Sequence, residues 1–334
     1  MKKPLLFIFT SFFFIACYQS KKSPNISSIK IELEVERFEQ DFFKLDTLHL
    51  NQSIGALKLK YPVFSKDFLY NILGTTDTYM ANDIPSFIRS YQPIFINTQA
   101  VIGKMDDASM EIKKGFKYVH YYFPEYKLPK KLISFIGPIN SFGSIITTDA
   151  IAIGLHMYLG KNHPIYNSPQ GQALYPSYIS SRFEPSYIPI NALKNVIDDM
   201  YPDQSMGKPL VAQMVEKGKR LYLLDHFLPQ LADVLKTGYS QSQLDACYSK
   251  EKDIWSMFIL NDFLYKSDPQ LTRDYVNDGP TTQTLGEGSP GNIGQFVGWQ
   301  IVKKWMNKNS KASLQDLMAK DPTNLFNESK YKPS

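Results

Sequence analysis

The sequence predicts an α+β fold: a predominantly helical single domain that carries a small β-sheet. Three observations lead there. Period-two alternation and Ile/Phe/Thr-rich runs are confined to a few short stretches. Apolar residues at three- and four-residue intervals dominate the second half. No internal repeat and no low-complexity linker interrupts the body.

Each element has its own pattern, taken in chain order. Ile29, Ile31, Leu33 and Val35 alternate with Lys30, Glu32, Glu34 and Glu36, the pattern of a half-buried strand. Arg37 to Ile102 reads as mostly helical, with turns at Gly74-Thr75-Thr76 and around Asn82-Asp83, and Met110 to Tyr126 as a further helix ended by Pro129. Lys131–Ile136 and Ser144–Met157, separated by Gly137-Pro138-Ile139-Asn140, read as a β-hairpin or a pair of neighbouring strands. Helices are then expected over Asn191–Tyr201, Leu210–Leu224, Ser240–Asn261 and Asn292–Asn307. Val211, Met214, Val215, Gly218, Leu221 and Tyr222 make one stripe of the second. Ser313 to Phe326 reads as a closing helix and the tail to Ser334 as frayed. The globular domain is therefore drawn over residues 29–312, with a C-terminal helix and tail over 313–334.

The first residues read as a targeting segment. Lys2 and Lys3 precede Pro4 to Ala16, a charge-free run too short to span a bilayer comfortably. It ends Phe14-Ile15-Ala16-Cys17, a small residue and then cysteine, as bacterial lipoprotein signals do. Residues 1–16 are thus expected to be removed and Cys17 lipidated, binding a membrane through two acyl chains. An ordinary signal peptide with an incidental cysteine, or an uncleaved anchor, are the alternatives. Residues 17–28 form the lipidated N-terminus and a polar tether; the eleven residues from Tyr18 to Ser28 reach about 35 Å when extended. Tyr18 to Pro24 lack an acidic run, and the expected location is the outer membrane with the body facing the periplasm.

Composition narrows function. A net charge of +5, two of it in the leader, with no long Lys/Arg block, does not point to nucleic acid. Of the two cysteines only Cys247 comes after Cys17, so no intrachain disulfide is expected, and Cys247 reads as a small buried residue rather than a reactive thiol. Gly286-Glu287-Gly288-Ser289-Pro290-Gly291 spells G-x-G-x-x-G but lacks a convincing preceding strand. Pro290 removes a donor and Glu287 brings a carboxylate to where a phosphate would sit, so a turn that starts the helix at Asn292 is the better reading. His49, His120, His156, His163 and His226 contain no H-E-x-x-H, and no Cys/His spacing suits zinc. No G-x-S-x-G elbow is present. No cofactor and no metal is expected. Asp198, Asp199 and Glu216 remain as a candidate ligand cleft, since adjacent acids at a helix C-terminus oppose the macrodipole and call for a cationic neighbour. The plainer reading makes them surface acids, with Glu216 paired to Arg220 across one turn on the solvent face.

Several blocks together carry a resemblance. They are Cys17; Val35-Glu36-Arg37-Phe38-Glu39; Asp149-Ala150-Ile151 with Gly154-Leu155-His156-Met157-Tyr158-Leu159-Gly160; and Asn191 to Pro202. Met214 to Lys219, Ser289-Pro290-Gly291-Asn292-Ile293-Gly294 and Gly298-Trp299-Gln300-Ile301-Val302 complete them. From Cys17 to about Asn309 the chain resembles the gliding-motility lipoproteins of the GldB type from the Bacteroidetes. The resemblance implies a role in gliding and in the associated type IX secretion machinery, through envelope protein partners and without catalysis. It also implies a distant likeness to gluzincin-like zinc peptidases, on a degenerate scaffold. There Asn191–Tyr201 would be the helix that bears H-E-x-x-H, and Glu216 the surviving third ligand. Two alternatives remain: a metal-dependent hydrolase built from scattered groups such as Asp149, His156 and Glu216, and a glycan-binding module using the many Tyr and Phe residues.

Overall fold

The computed structural model describes residues 23–333; the leader, Cys17 and the first part of the tether lie outside them. At its centre is one four-stranded sheet of order β1-β2-β4-β3. The strands are β1 (Glu34–Arg37), β2 (Lys131–Phe135), β3 (Ser144–Ile146) and β4 (Ala150–Gly154). β2 runs parallel to β1 and to β4, with Leu132 opposite both Val35 and Ile151, and β3 is antiparallel to β4. The hairpin thus lies inside the second Ile-rich run, closed where the Thr147 amide donates to the Ala150 carbonyl at 2.8 Å. β2 neighbours that run as a parallel strand. The segment Ala-Ile-Ala-Ile-Gly of β4 is buried throughout, as a strand covered on both faces must be. The first strand is shorter than its alternation suggests. Only Glu34–Arg37 find a partner; Ile31 and Leu33 pack on the core from irregular backbone, and Val35 is exposed.

The crossover from β1 to β2 is helical: α1 (Phe38–Phe42), α2 (Leu50–Lys60), α3 (Phe64–Lys66) running into a π-helical turn Asp67–Ile72, α4 (Met80–Ile102) and α5 (Asp106–Tyr122). Phenylalanine builds this layer. The Phe38 ring lies 4.9 Å from Phe64 and 4.8 Å from Phe68, and Phe135 of β2 lies 5.6 Å from Phe64. The turn expected at Asn82-Asp83 is instead the first turn of α4, because Thr75 supplies the break: its hydroxyl donates to Asp83 at 2.6 Å. α5 begins earlier than expected, with Asp106 and Asp107 favourable at its positive end. It ends at Tyr122 because Phe123 precedes Pro124 and is driven out of the helical region.

Short helices α6 (Pro164–Asn167), α7 (Pro169–Leu174) and α8 (Ser177–Ser180) lead to α9 (Ile188–Met200), which packs against the sheet and α5. Then come α10 (Leu210–Phe227), α11 (Asp233–Thr237), α12 (Gln241–Ser249), α13 (Glu251–Leu260), α14 (Pro269–Val276) and α15 (Ile293–Lys308). The run expected as one helix over Ser240–Asn261 is broken at Lys250, which leaves helical geometry. α10 and α15 form the most intimate helix pair: a Cβ on Gly298 would overlap the Met214 carbonyl, and one on Gly218 the Gly298 backbone. The closing helix is two, α16 (Leu314–Ala319) and α17 (Pro322–Ser329), and the tail expected to fray is docked as far as Tyr331. Its hydroxyl donates to Glu251 at 2.6 Å.

A charged cleft as candidate functional site

The three acids singled out from the sequence do not converge. Asp198 and Asp199 end α9, and each has found a neighbour of its own. Arg220 approaches Asp198 with Nε at 3.7 Å, and its Nη2 donates to the Tyr201 carbonyl at 2.7 Å, a cation at a helix C-terminus. Asp199 points elsewhere and accepts the Tyr126 hydroxyl at 2.7 Å. Glu216 does not pair with Arg220. It accepts from Lys219 at 3.0 Å, and that ammonium, buried to 1 % exposure, also donates to the Lys320 carbonyl at 2.6 Å. Burial depresses the Lys219 pKa, with Glu216 opposing. The pair therefore fastens α10 to the end of α16.

Of the three, Asp198 alone lines a cavity of about 440 Å³ between α9, α10 and the α14–α15 connection. Four cations reach it: Arg182 after α8, Lys194 on α9, and Lys217 and Arg220 on α10. Asp198, Asp203 and Asp278 oppose them, and Ile197, Leu221, Leu224 and Val276 give it an apolar side. Arg182 grips Asp278 with two contacts, 2.7 and 3.3 Å, and Lys217 sits 3.4 Å from Asp203. The carboxyl of Asp203 stays below the usual range: burial raises it, but Ser205 and Lys217 outweigh burial. Asp198 is raised by burial despite Arg220. The half-buried Lys194 ammonium has no hydrogen bond and no ion pair among the described residues, and desolvation, reinforced by Arg182, depresses it to about 8. Sequence reasoning missed Lys194, although a signal exists. It stands four residues after Ile190 and three before Ile197, both buried, so it occupies the apolar stripe of α9.

The remaining polar groups have local roles. His156 is fully buried; its Nδ1 accepts the Gly137 amide at 3.1 Å and its Nε2 lies 3.2 Å from the Ser141 hydroxyl. In that tautomer Nε2 carries the proton and donates to Ser141, so it does not activate the serine as a nucleophile. His163 caps α6, His49 meets Asp46, and His226 contacts the Tyr222 carbonyl. Cys247 is buried in α12, and burial pushes its thiol up to about 12. The Gly286–Gly291 loop closes on itself through Thr282 and Ser289, is preceded by a single 3-10 turn, and leads into α15 as expected.

Zinc does not fit the residues that the peptidase likeness would assign to it. α9 carries no imidazole, and the Glu216 carboxylate is engaged by Lys219. No group of three or more His, Cys, Asp or Glu side chains able to hold a metal occurs among the described residues.

A mainly helical α+β body with a charged cleft between α9, α10 and the α14–α15 connection is the class of protein that fold and cleft define. The model of the family described as gliding motility protein GldB matches residues 19–333, and the chain belongs to that family. It is thereby a gliding-motility-related lipoprotein of the cell envelope. No curated protein and no solved structure matches it significantly. No helix among the described residues is long and apolar enough to cross a membrane.

Proposed function

We propose that this protein is a non-catalytic component of the gliding machinery, tethered to the outer membrane through lipid on Cys17 and facing the periplasm. It acts there through contacts with envelope proteins, including those of type IX secretion. The family match over residues 19–333 carries this reading. The lipoprotein-type leader and the polar tether supply the anchor and its reach. Within the same proposal, α9 and α10 descend from the ligand-bearing helices of a zinc peptidase. Their packing against each other supports that descent, and the diversion of Glu216 to Lys219 accounts for a lost metal.

Replacing Cys17 in a gliding host tests the anchor. Cys17→Ala should move the protein out of the membrane fraction and abolish colony spreading at unchanged expression. Normal spreading by a soluble Cys17→Ala protein would rule out a required tether. The non-catalytic part has its own test, metal analysis of the purified wild type. One zinc per chain, with peptide cleavage lost on chelation, would overturn it.

A further inference from the structure

The cleft holds a charge that the protein itself leaves unmatched. Arg182 is neutralised by Asp278 and Lys217 by Asp203, while Arg220 has Asp198 at 3.7 Å, beyond hydrogen-bond range. Arg220 Nε and Nη1 are both buried without a hydrogen-bond partner. Lys194 has neither hydrogen bond nor ion pair among the described residues. A buried guanidinium short of partners is costly, the half-buried Lys194 ammonium lies open to the cleft beside it, and cavities with such groups are where ligands supply the missing partner.

We propose that this cleft binds the free C-terminal carboxylate of a peptide, with the acid group seated on the Lys194 ammonium beside the Arg220 guanidinium. The charge balance selects a monoanion. Three carboxylates line the cleft, so a phosphate dianion would meet Asp198, Asp203 and Asp278 with only one unmatched cation to offset them. The apolar side made by Ile197, Leu221 and Leu224 takes an aliphatic terminal side chain, and the Asn277 amide beside it suits a peptide group. A carboxylate on Lys194 also raises the ammonium again from the value of about 8 to which burial lowers it. The charged groups that face Lys194 are Arg182, Asp278, Asp198 and Lys217, with Asp203 and Arg220 further round the wall. Binding should therefore take up a proton above pH 8, and affinity should fall about tenfold from pH 7 to pH 9 as the free ammonium deprotonates.

Calorimetry on the full chain in mild detergent tests this with acetyl-Ala-Leu as free acid, its C-terminal amide, acetate and inorganic phosphate. We expect saturable binding of the acid, at least tenfold weaker binding of the amide, of acetate and of phosphate, and that fall in affinity with pH. Lys194→Met should weaken the acid at least tenfold, and Lys194→Arg should retain most of it. Equal binding of acid and amide, tighter binding of phosphate, or no saturation would overturn the proposal. If Lys194→Met does not fold, the wild type still decides: saturating acid must slow acylation of the Lys194 amine, read by peptide mass spectrometry, and unchanged acylation refutes the site.

Discussion

His156 sits between the Gly137 amide and the Ser141 hydroxyl, wholly out of water, and burial holds its imidazole down at about 3. An imidazole of an unfolded chain titrates near 6.5, so between these values the unfolded chain binds a proton that the folded one refuses. Stability contributed by neutral His156 is therefore complete above pH 6.5 and is lost as pH falls toward 3. The whole window is worth up to about 5 kcal/mol, an upper bound because acid unfolding intervenes. His156→Gln can keep an acceptor for Gly137 without taking a proton. Urea titrations between pH 7 and 4.5 should show the variant losing less stability than the wild type, by about 2 kcal/mol or more at the acid end. Parallel pH profiles would mean that His156 is charged in the fold. The same burial logic separates the candidate residues. Asp198 was legible as an acid at the wrong end of a helix, and Lys194 stands one turn before it on α9, whereas Arg182 and Asp278 join them only through tertiary contacts that no spacing reveals.

Among the elements, α10 and α15 show why some patterns were readable. Their stripes of Val, Met, Leu, Ile and Trp recur at helical spacing, and both helices lie close to their expected bounds. What spacing did not disclose is that Gly218 and Gly298 let the two backbones touch. Gly298→Ala should cost about 3 kcal/mol or more, because the clash is with the Met214 carbonyl, not with a movable side chain. Gly55, inside α2 with nothing within 4 Å of an added methyl, should gain about 0.5–1 kcal/mol when changed to Ala. Chemical denaturation of the two variants reads both signs, and a neutral Gly298→Ala would mean that the helices separate readily. The sheet was less legible. Ile29 to Val35 alternates, but alternation reports burial and not a partner, and β2 offers one only to Glu34–Arg37. The parallel pairing of β2 with β4 crosses Ile136–Asp149, a connection with no tight-turn signature linking those two strands.

Across the whole molecule, the C-terminal segment decides whether the body ends near residue 312 or extends almost to the last residue. Leu314, Leu317 and Leu325 are buried, Trp305 Nε1 donates to Glu328 at 2.9 Å, and Trp255 meets Tyr331 edge-on at 4.9 Å. Buried Lys219 takes carbonyl partners from Met318 and Lys320, groups at the end of α16 that would otherwise lack donors. Removing residues 313–334 would expose three leucine sites worth about 1.5–3 kcal/mol each and strip Lys219 of two acceptors at about 1–3 kcal/mol apiece. That loss matches the entire stability of an ordinary domain, about 5–15 kcal/mol. The truncated chain should therefore show no cooperative thermal transition and should aggregate. Deleting only residues 332–334, beyond docked Tyr331, should leave the melting temperature within about 2 °C of the full chain. Differential scanning calorimetry of both chains distinguishes the cases: a near-native melt for the chain lacking 313–334 would make the C-terminal segment an appendage to the core, not a part of it.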